Sequence, residues 1–287
     1  MSCFHRGAIE PVRRLNCGPW QAELLPRQPY EARYTPDAFV IGFSFDSQDG
    51  VHAFASDRLQ PFRTRPNSLA FVPPGCEVFS LSRTGGEYLR LTMPGSVFDV
   101  VRAPRRFSDA VDPPAIAAAR AIRGLLLQAL PPDPAVFERH VAVLADRAAC
   151  FLDDAVRPSP AAGWLTPNRL KRIDDLIADN LDTSLSVSTL AHALALSEGF
   201  FARAFKAAMG IAPHDYLIDR RIARARARLC AGEVDLSAIA LAAGFSSHAH
   251  MTAVFRHRLG TTPSALRAGL DAVPNGTSRR VNSSANS

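Results

Sequence analysis

The sequence predicts an α+β chain. A β-rich N-terminal barrel or sandwich is followed by two antiparallel helices, then by an all-α C-terminal domain of two helix-turn-helix units joined by a helix. Three observations predict it. Short strand-like runs separated by turn residues fill the chain from about Pro11 to Phe107. Two Asp-Pro openings each start a long helical pattern after them. Near the C-terminus two stretches repeat each other, Leu190 to Tyr216 and Ile239 to Leu266, each an Ala-rich helix, a short turn, a second helix and then Gly-x-x-Pro.

The strand signals come first. Ala38 to Phe45, Leu69 to Val72, Val78 to Ser82 and Tyr88 to Met93 are rich in β-branched and aromatic residues, and Gly, Pro, Asp and Asn separate them, as strands bounded by turns require. Asp112-Pro113-Pro114 and Asp133-Pro134 each read as an N-cap followed by proline in the first helical turn, where its missing N–H costs nothing. The first helix carries Ile116, Ala119, Ile122, Leu126 and Leu130, and the second Phe137, Val141, Leu144, Ala148 and Phe151. Spacings of three and four place each set on one face. Those faces either cover the sheet or, in part, form a dimer seam. Residues from about Asp154 to Asn168 are rich in Pro, Ala and Gly and break both periodicities, the pattern of a linker. Beyond Leu270 the chain is small and polar, a composition expected to stay disordered.

In the first repeat unit Ser197 is a suitable N-cap, and the helix from Glu198 buries Phe201, Phe205 and Ala208. Its opposite face carries Glu198, Gly199, Ala202, Arg203 and Lys206. In the second unit Ser247 caps a helix that buries Met251, Phe255 and Leu259 and exposes His248, Ala249, Thr252, Ala253 and Arg256. These ten residues are the expected DNA-reading set, with the two faces entering the major groove. Arg203 suits bidentate hydrogen bonding to guanine, and His248 suits a base acceptor or a phosphate; a good bidentate pair is worth about 1 to 3 kcal/mol of discrimination. Between the units a helix of about Tyr216 to Cys230 turns Leu217, Ile222, Ala225 and Leu229 inward and is expected to expose Arg220, Arg224 and Arg228 as one row. A rigid connector would let the two heads read groove segments about 34 Å apart.

Leu190-Ala191, Phe205-Lys206, Gly210-x-x-Pro213-x-x-Tyr216, Arg221 with Ala225 and Leu229, Ile239-Ala240-x-x-Ala243-Gly244-Phe245-Ser246-Ser247 and Phe255-Arg256 through Gly260-x-x-Pro263-x-x-x-Arg267 resemble the AraC/XylS regulators. The resemblance implies a bacterial sequence-specific transcription factor, often an activator, whose partners are double-stranded promoter DNA and, near the second recognition helix, RNA polymerase. It also implies a cupin-like effector barrel followed by dimerisation helices. The expected organisation is therefore a cupin-like regulatory barrel at 1–108, a helical pair at 109–153 that serves a homodimer, a linker at 154–168, the DNA-binding domain at 169–267 and a disordered tail at 268–287. The alternative is a DNA binder of this type that needs no effector, with an N-terminal domain serving only for dimerisation.

Composition narrows the classes. At 47% apolar and 21% charged residues the chain has enough apolar material for packed domains. Five scattered cysteines without a Cys-x-x-Cys pair suit reduced thiols in a cytosol. Met1 to Arg14 lacks the apolar run of a signal peptide, and no later segment has the length of apolar sequence a membrane span needs. The expectation is a soluble cytoplasmic protein without membrane contact. Net charge is +6, and residues 169 to 267 carry 13 Lys plus Arg against 9 acids, so the excess sits on the helix-turn-helix region.

No Gly-rich phosphate loop, Gly-x-Ser-x-Gly elbow or His-Glu-x-x-His helix appears, and the expected class is not an enzyme. Pro73-Pro74-Gly75 resembles the tight turn of a cupin motif. Val78 and Phe54 stand where a metal-binding cupin places histidines, leaving His52 alone. With about three protein ligands needed, neither metal nor cofactor is expected. Glu77 and Glu87 read as solvated carboxylates. Phe39, Phe43, Phe45, Phe54, Phe71 and Phe79 alternate with polar neighbours and would line a barrel. Arg63, Arg65 and Arg90 are candidates to meet an acidic effector, whose binding residues the sequence leaves unassigned.

Overall fold

In a computed structural model, residues 5–6, 11–93, 105–128, 130–153, 160–183 and 185–271 are described. Eleven strands come first: β1 (His5–Arg6), β2 (Arg13–Cys17), β3 (Trp20–Leu25), β4 (Tyr30–Tyr34), β5 (Phe39–Ser44), β6 (Gln48–Phe54), β7 (Gln60–Thr64), β8 (Ser68–Val72), β9 (Val78–Ser82), β10 (Tyr88–Met93) and β11 (Phe107–Ala110). They form a five-stranded sheet in the order β1-β4-β9-β6-β7 and a six-stranded sheet in the order β11-β8-β5-β10-β3-β2. Apart from the short β1–β4 pairing, which is parallel, all pairings are antiparallel.

Alternation along the six-stranded sheet decides where the core lies, because successive side chains point to opposite faces. Leu24, Ile41, Phe43, Leu69, Phe71, Leu89 and Leu91 are all buried and share one cluster with residues of two helices. These helices are α1 (Pro113–Leu127) and α2 (Pro134–Leu152), capped by Asp112 and Asp133, whose carboxylates accept from the N–H of Ala115 and Ala135. Phe43, Phe45 and Phe71 therefore pack outward on the helices, and of the six phenylalanines read as a lining set Phe54 alone also lines the space between the sheets. The helix α1 stops at Leu127. Leu130, placed on its apolar stripe by periodicity, is 77% exposed, because Gln128 has already turned to extended backbone.

Of the stretch read as a linker, 154–159 lie outside the described residues. Pro160–Trp164 form a 3-10 helix, and Trp164 sets its ring edge-on against Phe200 at 5.2 Å. Seven helices follow: α3 (Pro167–Asn180), α4 (Val187–Ala193), α5 (Glu198–Met209), α6 (Pro213–Cys230), α7 (Leu236–Ala242), α8 (His248–Leu259) and α9 (Pro263–Asp271). Residues 272–287, most of the predicted tail, lie outside the described residues. Among the described residues no helix is long and apolar enough to cross a membrane.

The two parts meet along α1. Its Ile116 lies where a side chain on Gly210 would stand, Gly124 approaches the backbone of Leu259, and Gln128 closes on Gly260. One helix thus touches the end of α5 and the end of α8. Between these contacts Arg120 pairs with Asp219 of α6, and Arg123 with Glu87, which also takes Arg226 of α6. Glu87 is 6% exposed: the carboxylate read as solvated is buried between two guanidinium groups. A lone sequence cannot show this, since both partners come from distant helices.

Candidate nucleic-acid interface

The two repeat units fold alike. In α5 the Ser197 hydroxyl accepts from the Phe200 N–H at 3.4 Å, and the helix ends on Gly210 at φ 72°. In α8 the Ser247 hydroxyl accepts from the His250 N–H at 3.1 Å, and the helix ends on Gly260 at φ 67°. Each cap satisfies an amide that the first helical turn leaves without a partner. Phe201, Phe205 and Ala208 are buried from α5, and Met251, Phe255 and Leu259 from α8. Phe205 meets the Tyr216 ring edge-on at 5.3 Å, which ties α5 to the start of α6.

Burying one face fixes the other. Glu198, Gly199, Arg203 and Lys206 are exposed and Ala202 is half-buried. On α8 His248, Ala249, Ala253 and Arg256 are exposed and Thr252 is half-buried. All ten residues therefore lie on the two outward faces. The Arg203 guanidinium folds back over the first turn, where a Cβ on Gly199 would stand 3.7 Å from Nη1. His248 Nε2 lies 3.3 Å from Thr252 Oγ1, so these two present one polar unit. Ser246 and His250, 2.9 Å apart, brace the turn before α8; the sequence reading named Ser246 only within the family motif and passed over His250, and a hydroxyl four residues before an imidazole at a helix start was the available signal.

The basic row predicted on α6 is not exposed. Arg220 turns to the N-terminal domain, where Nη1 reaches Ser47 Oγ at 3.5 Å. Arg224 has Nη1 buried without a hydrogen-bond partner among the described residues, and Arg228 pairs with Glu233 at 2.7 Å. Arg220 faces a neighbouring domain that helical periodicity cannot see, while Arg228 is held by an acid of its own domain. By contrast Arg203, Lys206 and Arg256 make no ion pair among the described residues. Both outward faces thus keep cations without an ion pair among the described residues, while Arg220 and Arg228 of the connector each have a partner.

Residues 190–269 match the family model described as a helix-turn-helix domain. A putative AraC-like transcription regulator of Streptomyces antibioticus is 32% identical over 117 residues. The C-terminal domain is of the AraC type. That match takes in 38% of this chain and 37% of the relative. The probable transcriptional regulator LumQ of Photobacterium leiognathi is 33% identical over 91 residues, 32% of this chain and 37% of the relative. The chain thus spans little more than a third of the length of these curated relatives. Among solved structures, the DNA-binding domain of AdpA in complex with a target DNA is 30% identical, with a TM-score of 0.36, and the likeness covers 38% of this chain and 98% of that one. Both halves of the AraC-type domain fall within the matched region, so α5 and α8 lie inside it and the N-terminal sheets do not.

Proposed function

We propose that this chain is a sequence-specific regulator of transcription that binds promoter DNA through α5 and α8, acts as an activator, and is controlled by a small molecule in the N-terminal domain. The observation that carries the reading is the pair of similarly capped helices with outward faces holding cations that make no ion pair among the described residues, within a domain whose relatives are named as transcription regulators. Arg203 and His248 are the assigned base readers, with Gly199, Ala202, Ala249 and Ala253 allowing close approach, Glu198 and Thr252 flanking them, and Lys206 and Arg256 meeting phosphates. Soluble, cytoplasmic action as a homodimer, with RNA polymerase beside α8, belongs to the same reading.

Control through the N-terminal domain draws its support from α1. A helix that touches the ends of both α5 and α8 makes the separation of the two heads depend on the sheet it packs against. Arg63 gives a second route: it lines the space between the sheets and pairs at 3.5 Å with Asp174 of α3, which accepts the Tyr216 hydroxyl at 2.6 Å.

Selection of bound sequences from random duplex DNA, by wild type and by Arg203→Ala and His248→Ala, tests the proposal. One enriched motif, relaxed at a different segment by each variant, is the expected result. Binding without enrichment that fades uniformly with salt would reduce the interface to phosphate attraction.

A further inference from the structure

Between the two N-terminal sheets lies a cavity of about 510 Å³, inside the range of small-molecule sites. Strand alternation explains why it stays open. The face of the six-stranded sheet that looks away from α1 and α2 carries small residues, Ser44, Ser68 and Ala70 among them. Gly42 belongs to that row, and a Cβ there would stand 1.5 Å from the Tyr88 hydroxyl. The missing side chain lets the Tyr88 ring lie across the sheet and carry its hydroxyl toward Arg90, the cross-strand partner of Gly42.

One flank of the cavity is a cluster of donors. Arg90 gives Nε to Glu23 Oε2 at 2.7 Å and Nη2 to the same oxygen, which leaves Nη1 without a hydrogen bond among the described residues. Glu23 is 2% exposed and also takes Arg14 at 2.7 Å. One buried carboxylate thus faces two guanidinium groups, and the cluster keeps an excess positive charge. Tyr34 and Tyr88 stand beside Arg90 with hydroxyls that have no hydrogen-bond partner among the described residues. Burial pushes both phenols up, and the neighbouring tyrosines add to this at Tyr88 while Arg90 opposes it. Both hydroxyls therefore remain donors across the neutral range.

The opposite flank is aromatic. His52 stacks on Phe62 at 4.9 Å with 9° between planes and meets Phe54 edge-on at 4.8 Å. Burial, then Arg106, lowers its pKa, so at neutral pH the imidazole is an uncharged planar surface. Four residues earlier on the same strand Gln48 also lines the cavity and is buried, with Oε1 lacking a partner among the described residues, an acceptor whose desolvation is uncompensated.

We infer that the cavity binds a small aromatic carboxylate, with the carboxylate on Arg90 Nη1 and the Tyr34 and Tyr88 hydroxyls and the ring against His52 and Phe54. Charge-assisted donors suit a carboxylate, and the stacked rings suit a flat apolar body. A hydroxyl or amine on the far edge of the ring would satisfy Gln48 Oε1. A wholly apolar ligand leaves three sets of polar groups unpaired, and a cation would meet an arginine. The inference names the ligand class for the effector reading above and rests on it only for the regulatory outcome.

Calorimetric titration of the full chain with indole-3-acetate and 3-(4-hydroxyphenyl)propanoate, each beside its primary amide, tests it. At least one acid binds, and its amide binds about ten-fold or more weakly. Tyr88→Phe weakens the acid several-fold and leaves the unfolding midpoint in place. Arg90→Gln removes the preference for acid over amide; should that variant fail to fold, Tyr88→Phe and Gln48→Leu carry the test, the latter lowering affinity for the phenol acid. Equal binding of acid and amide, or no heat from either acid at about 5 mM, overturns the assignment. An enriched DNA motif with no acid bound sinks the ligand class only, whereas acid binding without an enriched motif sinks the DNA reading only.

Discussion

Arg226, on the helix that joins the two helix-turn-helix units, is ion-paired with Glu87 of the N-terminal domain, and both side chains are buried. Arg123 of α1 reaches the same carboxylate at 3.2 Å, so three elements converge on one negative charge. Removing a single partner from such a group leaves uncompensated buried charge, which costs far more than the pair contributes over an apolar substitute.

Glu87→Gln should therefore destabilise the full chain by about 3 to 5 kcal/mol, read from urea midpoints at pH 7. Burial alone would raise this carboxyl's pKa, but Arg226 and Arg123 outweigh it and hold the group below the usual carboxylate range. A depressed folded-state pKa means that the contribution is complete above the unfolded value, about 4.3, and fades as pH falls through the folded one. The acid limb of the stability curve should be steeper in wild type than in Glu87→Gln; superimposable limbs would show that Glu87 is not the linked group.

Gly210→Ala tests the contact between α1 and the first unit. The added Cβ would sit 2.4 Å from Ile116 Cδ1, at φ +72°. Gly232, at φ +83° with open space around it, is the control that isolates backbone strain. Strain alone costs about 1 kcal/mol, so Gly232→Ala should lose about that much and Gly210→Ala at least about twice as much. Similar losses would mean that α1 yields freely at Gly210.

Salt dependence separates free from engaged cations. Arg203→Ala and Arg256→Ala should each lower the slope of log K against log salt by up to about 1. Arg228→Ala, which removes a charge already paired with Glu233, should leave the slope unchanged. A larger change at Arg228 than at Arg203 would move the phosphate-facing surface from α5 and α8 to α6.

Tyr216→Phe should cost about 1 to 3 kcal/mol, since its hydroxyl donates to the Asp174 carboxylate and bonds to charged acceptors lie in that range. The loss should grow in an Arg63→Gln background, because Asp174 then keeps its charge with one partner fewer and depends more on the hydroxyl. Strict additivity in this double-mutant cycle would show that the two contacts act independently.

Much of the C-terminal domain was legible because its signals are local. Ser197 and Ser247 cap the helices predicted from them, and the buried and outward faces of α5 and α8 follow from the spacing of Phe201, Phe205, Met251 and Phe255 alone. The Asp-Pro openings at Asp112 and Asp133 were equally plain. The cavity was not, since a search for aromatic lining found Phe54 and missed Tyr34, Tyr88 and Gln48, which matter for their polar atoms. Arg63 and Arg90 reach the cavity, but Arg65 is held by Asp109 instead.

The sequence by itself determined the repeat, the helix starts and which side of each reading helix points out, because capping and periodicity act within a few residues of each other. Only the tertiary structure decided that Glu87 is buried, that Arg220 and Arg226 of α6 turn to the N-terminal domain and that one helix bridges the ends of α5 and α8. Those outcomes depend on which distant surfaces meet. Charge on a helix face states what must be neutralised or solvated, and the fold alone supplies the partner.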